Sequence, residues 1–292
     1  MEVIGPDEFV VLVVSFFFTC VFLYKWYRYL FFSVIPYKRD ELLMVALCGL
    51  PIASFAIILF TLKVLASFDV VDSPLFITFY VVLGFVWLHF SLYCMFRFFD
   101  LSWIDDVMIM NNKSALTAIA GGALGSVFIY AGANIGDGPG WWCVIFAGGL
   151  GLMTWILLGV GIARTNEMSE RITVERDLGC GIRFGSYLLA SGIILGRASG
   201  GDWTSFYMTV VEFYDVYDRW PVLLLAALEA IVENFYSRRN VTRGNKDTVN
   251  SSIFWGAVYI IFAVIIVMQL WQSLPQNPFY REDLRYPVGI IR

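Results

Sequence analysis

The stretch FVVLVVSFFFTCVFLYKW, residues 9–26, holds no charge before Lys25. Apolar blocks of about this length recur through the chain, and nothing else in it constrains the fold as strongly. About twenty apolar residues are needed to cross a bilayer as a helix. In hydrocarbon each backbone N–H and C=O must find its partner within the protein, which leaves helices or closed barrels. Eight such blocks can be read, at 8–30, 42–66, 77–97, 115–135, 141–163, 181–198, 220–237 and 252–271. Composition agrees: 59% of the 292 residues are hydrophobic, 15% are charged and the mean hydropathy is +0.72, where soluble domains carry about 25% charged residues. The expected fold class is an all-α polytopic membrane bundle of about eight helices.

The links between blocks sort by charge. Links after odd-numbered spans hold Lys25, Arg28, Lys38 and Arg39, then Arg97 and Lys113, then Arg164, Arg171 and Arg176 with Arg183 just inside span six, then Arg238, Arg239, Arg243 and Lys246. The other side holds Lys63, Arg197, Arg219, Arg281, Arg285 and Arg292. The first set should face the cytoplasm, with residue 137 and both termini outside. The opening MEVIGPDEF carries acids and no basic residue, which argues for a retained helix over a cleaved signal peptide. Trp26, Trp141, Trp142, Trp203, Trp220 and Trp271 fall where membrane interfaces are expected. Cys20, Cys48, Cys94, Cys143 and Cys180 contain no CxxC pair, so neither a disulfide framework nor a zinc site is expected.

The chain also repeats itself. DDVMIMNNKSALTAIAGGALG, residues 105–125, has a counterpart in SERITVERDLGCGIRFGSYLLASG, residues 169–192. Aligning Asn112 with Asp177 brings small residues together at Ala115/Cys180, Ala120/Gly185, Gly121/Ser186 and Gly125/Ala190, and acids precede both at Asp105, Asp106 and Glu170. The central four spans therefore read as two hairpins of the same orientation. Asn112 or Ser114 would cap span four and Asp177 span six, because their side-chain oxygens accept free N–H groups, and the acids suit a helix N-terminus. Gly121 and Gly125 on span four, and Gly181, Gly185, Gly192 and Gly196 on span six, recur at GxxxG spacing, which lets helix backbones approach. Packing within the chain is the first expectation for these glycines and a dimer seam the second.

These stretches, with the Gly-rich span five, resemble the YjfL-like bacterial inner-membrane proteins, a domain family of unknown function. The resemblance covers about residues 80–200. Its motif is an acid, a short spacer, Asn and then small residues, used twice. The first copy matches at Asn111, Asn112, Ala115 and Gly121. In the second, Asp177 stands for the expected Asn and the spacer is read as one residue longer. The resemblance implies two hairpins, an inner-membrane location and a role in envelope stress or membrane maintenance. It implies no particular activity.

Chemistry-bearing residues are few. His89, the one histidine, is expected packed in span three or, in a sharper reading, as a proton relay. Glu229 and Glu233 stand four apart on one face of span seven. Glu233 is expected to reach the interface beside Arg238 and Arg239. Glu229 lies deeper and reads either as a buried polar anchor or as a cation or proton site. Residues 204–220 read as an interfacial helix followed by a turn at Pro221, and the tail as an extended outer segment. No Ser/His/Asp set, HExxH or P-loop occurs, so no enzymatic activity, metal or cofactor is expected. The organisation is a helix pair at 1–76, a four-helix repeat at 77–200, an interfacial helix and second pair at 201–272, and a tail at 273–292. Expected partners are the lipid bilayer and a second copy or another membrane protein, not nucleic acid. Two function classes stand open: a non-enzymatic packing or assembly component, and a channel or transporter for a cation, proton or small solute with Glu229 in its path.

Overall fold

The computed structural model of the protein describes residues 4–32, 40–203, 205–214, 216–238 and 246–270. The helices are α1 (Pro6–Phe32), α2 (Glu41–Val64), the short α3 (Phe68–Val71), α4 (Pro74–Phe99), a π-helix (Trp103–Ile109), α5 (Lys113–Ala133), α6 (Trp141–Thr165), the short α7 (Met168–Thr173), α8 (Leu178–Ser199), α9 (Phe206–Phe213), α10 (Val216–Arg238) and α11 (Lys246–Leu270). Among the described residues the only strand-like pairing is an isolated bridge, Ala66 to Gly136. The protein is an all-α polytopic membrane bundle.

The expected spans all fall on helices, but among the described residues seven helices rather than eight are long and apolar enough to cross a membrane. The exception is α10. It has the length, but Glu229 and Glu233 lower its hydropathy, and both carboxylates are fully buried inside the bundle. The expected interfacial helix at 204–220 also differs. Helix α9 ends at Phe213 with Tyr214 as its C-cap, and residues 216–220 belong to α10, so Pro221 lies inside that helix rather than in a turn before it. The tail from residue 271, with Trp271, and the link residues Lys38, Arg39, Arg239 and Arg243 lie outside the described residues.

Helices α5 and α8 are the centre: 78% and 72% of their apolar windows are buried, against 22% for α1 and for α11 at the periphery. Glycine makes their contact. A Cβ added to Gly121 would run into the Gly185 carbonyl, one on Gly125 into that of Leu188, and one on Gly132 into that of Gly196. From the other side, Gly181 meets the Ser114 carbonyl, Gly192 that of Gly125 and Gly196 that of Phe128. Residue numbers rise together along both helices, so the pair is parallel. Lipid gives helices no hydrophobic reason to associate, and close packing takes its place. The glycines that could have formed a dimer seam are thus taken up within the chain.

Surrounding helices are tied on by polar tips that donate to helix carbonyls: Trp87 Nε1 to Ser126 (3.0 Å), Trp155 Nε1 to Leu188 (2.8 Å) and Tyr130 Oη to Tyr80 (2.6 Å). Trp26 is buried and donates to the Leu47 carbonyl (3.1 Å).

The link before α5 and the link before α8 are built alike. Asn112 accepts from the N–H groups of Ser114 and Ala115, and Asp177 from that of Cys180, so both act as the expected caps. Each cap follows a residue in the left-handed region, Asn111 (φ 51°) and Arg176 (φ 56°). The backbone bonds Met110→Asp105 and Asn112→Asp106 recur as Glu175→Glu170 and Asp177→Arg171. The spacer in the second stretch is therefore not longer than in the first. One expectation changes: Asp105 and Asp106 sit in the first turn of the π-helix, which Ser102 caps, rather than on the N-terminus of α5. Glu170 likewise belongs to the first turn of α7.

These links meet at one end of the bundle, where Asn112 Nδ2 donates to the Ile172 carbonyl (2.7 Å) and Ser169 to that of Phe99 (2.8 Å). At the other end, Asp137 N–H donates to Asp202 Oδ1 (2.8 Å), which joins two positions 65 residues apart.

Candidate functional site

The chemistry gathers where α7, α8, α10 and α11 meet. The Asn111–Lys113 type of turn before α8 places Asp177 at its N-terminus, and α7 brings Arg171 to it: Arg171 Nη2 to Asp177 Oδ2 is 2.8 Å. The other arm of Arg171 donates to Glu233 Oε2 at 2.6 Å. One and a half turns into α8, Arg183 Nε reaches Glu233 Oε1 at 2.5 Å. Arg183 Nη1 donates to Ser252 of α11 (2.5 Å), and the guanidinium lies over the Tyr236 ring, 4.1 Å from its centroid. Both oxygens of Glu233 thus hold a guanidinium. Burial raises the cost of charge on Asp177, but the hydrogen bonds from Arg171 and from the Cys180 N–H, with the charges of Arg171 and Arg183, keep its carboxyl below the usual range.

Glu229 lies one turn before Glu233, also fully buried. Among the described residues neither of its oxygens has a hydrogen-bond partner, and neither do Tyr187 Oη, Tyr259 Oη and Arg183 Nη2. Tyr259 lies beside the Glu229 carboxyl without meeting hydrogen-bond geometry, and Tyr187 and Arg183 are within electrostatic reach of it. Buried polar atoms without partners are uncommon in native structures and each calls for a reason.

The expected residues are therefore brought together only in part. Glu233 is fully buried. Its partners among the described residues are Arg171 and Arg183, because α10 turns its glutamate face onto α8; the expected pairing with Arg238 and Arg239 falls on side chains outside the described residues. Arg171 and Arg183, counted in the sequence as cytoplasmic link charges, are internal counter-ions. His89 is apart from the cluster, on the exposed side of α4, with its ring 4.8 Å from that of Phe22. Arg183, Tyr187, Ser252 and Tyr259 were not recognised as site residues. The signal for Arg183 was available: a basic residue inside a predicted span requires a partner in the bundle.

At the opposite end a cavity of about 510 Å³ is lined by Glu8, Asp69, Asp137, Asp202 and Glu212 together with Asn134 and Arg197. Burial and the charges of Asp69 and Asp202 push the Asp137 carboxyl above its usual range, against a backbone hydrogen bond that lowers it. Among the described residues no group of three or more His, Cys, Asp or Glu side chains could hold a metal ion. All five cysteines are free.

No family model, curated protein or solved structure matches the chain.

Proposed function

We propose that this integral membrane protein is a non-enzymatic scaffold: a packing or assembly component of a membrane-maintenance or envelope-stress system. In this reading α4–α5 and α6–α8 are two copies of one hairpin, as in the YjfL-like proteins it resembles. The membrane is the bacterial inner membrane, with the Arg171 end cytoplasmic and both termini outside. Its partner is a second copy or another membrane protein, met through the outer helices, since the glycines are already occupied. The observation that carries the reading is the α5–α8 seam, where backbone lies on backbone with no room for a side chain, water or solute. A seam of that kind supports rigidity.

A second reading rests on a different observation, the unpaired Glu229 cluster, which would suit a proton or cation path. Purified protein in liposomes separates the two, with proton and monovalent-cation flux followed by a dye. The scaffold reading expects no flux above empty liposomes. Wild-type flux abolished by Glu229→Gln and spared by the exposed Glu170→Gln would replace it with transport.

A further inference from the structure

The charges of the buried cluster can be balanced group by group. Arg171 and Arg183 contribute two positive charges, and Asp177 and Glu233 contribute two negative ones in direct contact with them. That set is neutral. Glu229 is left over, fully buried and without a hydrogen-bond partner. The ionisable groups facing it are Arg183 and Tyr187 from α8, Tyr259 from α11, Arg171 from α7, and Glu233 from its own helix. Helix α6, which also packs on α10, has as its only ionisable groups Cys143 and Arg164, near its two ends. Among the described residues no counter-charge remains for a second carboxylate, and an isolated buried carboxylate takes up a proton instead of staying ionised.

We infer that Glu229, with Tyr187, Tyr259 and the free Nη2 of Arg183, forms a buried proton-binding site in which the Glu229 carboxyl carries an exchangeable proton. The two phenols offer both donors and acceptors, so either protonation state finds partners after a small rotation. Arg183 opposes a metal cation at the same place, because its guanidinium would be a like charge beside it. It also offers the deprotonated carboxylate a donor that is unused while Glu229 is neutral. The inference is independent of the scaffold reading, since a site can titrate without conducting.

The test is infrared difference spectroscopy on the full-length protein in lipid, titrated over the pH range in which its helicity is unchanged, with sodium or with choline as the salt. The expected result is a carboxylic C=O band that shifts in D2O and fades reversibly as pH rises. It should be absent in Glu229→Gln, retained in Glu170→Gln, and indifferent to sodium. If Glu229→Gln fails to fold, Glu229→Asp serves: the band should move in position. Three results would overturn the site: no such band in the folded wild type, a band unchanged at every pH (a fixed anchor), or a titration displaced by sodium (a cation site).

Discussion

The surroundings of α5 and of α8 pose one geometry with two chemistries. Both helices start from the same left-handed turn and cap, and both press glycines onto the other's backbone. At matching positions α5 then carries Ala118 and Gly122 where α8 carries Arg183 and Tyr187. Ala118 is fully buried, and Gly122 leaves room for Met95 of α4. The preceding link has Asp106 where the other has Arg171. At the cap itself, Asn112 uses its amide to donate to the Ile172 carbonyl, while Asp177 has no donor and accepts from Arg171. Backbone geometry here is set by caps and glycines and is indifferent to charge. The charge, once placed on α8, dictates what α10 and α11 must bring to it.

The largest expected effect strikes what the two halves share. Gly185→Leu should abolish recovery of folded, monodisperse protein, because its side chain would displace the Thr117 backbone. Leu195→Ala, a fully buried truncation, should cost about 2–5 kcal/mol and still fold. Equal thermal stability of the two in detergent would break the shared seam.

The polar half alone should respond next. Glu233→Gln takes the carboxylate from Arg183 and leaves Arg171 only Asp177, and removing one partner of a buried ion pair costs about 3–5 kcal/mol. Glu229→Gln, one turn away, should leave the unfolding temperature nearly unchanged, since the amide is a neutral isostere of the protonated carboxyl and breaks no ion pair. The reverse order would show that the charges are partitioned differently.

Exchanging the caps tests the comparison at one atom. Asn112→Asp keeps the cap oxygen but sets a carboxylate against the Ile172 carbonyl, for an expected loss of about 1–3 kcal/mol. Chemical unfolding of Asn112→Asp beside Asn112→Ser, which keeps a cap without the charge, would show the carboxylate's share of the loss.

The smallest effect is at the surface. The Asp40 carboxyl is held below its usual range by the hydrogen bond from Lys113 and by the Leu42 N–H, with the Lys113 charge adding to them against slight burial. A lowered folded pKa contributes stability that is present above the unfolded value, about pH 4, and is lost as pH falls through the folded one. The melting difference between wild type and Asp40→Asn should be small at neutral pH and vanish in acid.

Much of the fold was legible because apolar length and small-residue spacing are local properties. Asn112 and Asp177 could be recognised as caps for the same reason: a cap acts within three residues. The site was less legible. Glu229 and Glu233 share a helix face, but which of them is paired depends on Arg171 and Arg183, 62 and 50 residues from Glu233 in sequence. Asp105 and Asp106 were assigned to α5 because a π-helix leaves no distinct hydrophobic period. The end of α9 at Tyr214 has no signal in the sequence, because the apolar spacing of Phe206, Val210, Phe213 and Tyr217 runs straight through it.

The backbone-to-backbone contact of α5 and α8 is measured most directly by one substitution made at two glycines. An added Cβ at Gly149 of α6 meets nothing within 4 Å, whereas at Gly121 it meets the Gly185 backbone. Alanine favours a helix over glycine by about 1 kcal/mol, so Gly149→Ala should keep or raise the melting temperature. Gly121→Ala should lower it by an amount equivalent to about 1–3 kcal/mol or more, since the helices must separate to admit a methyl group. If both variants melt together, α5 and α8 are not packed as described.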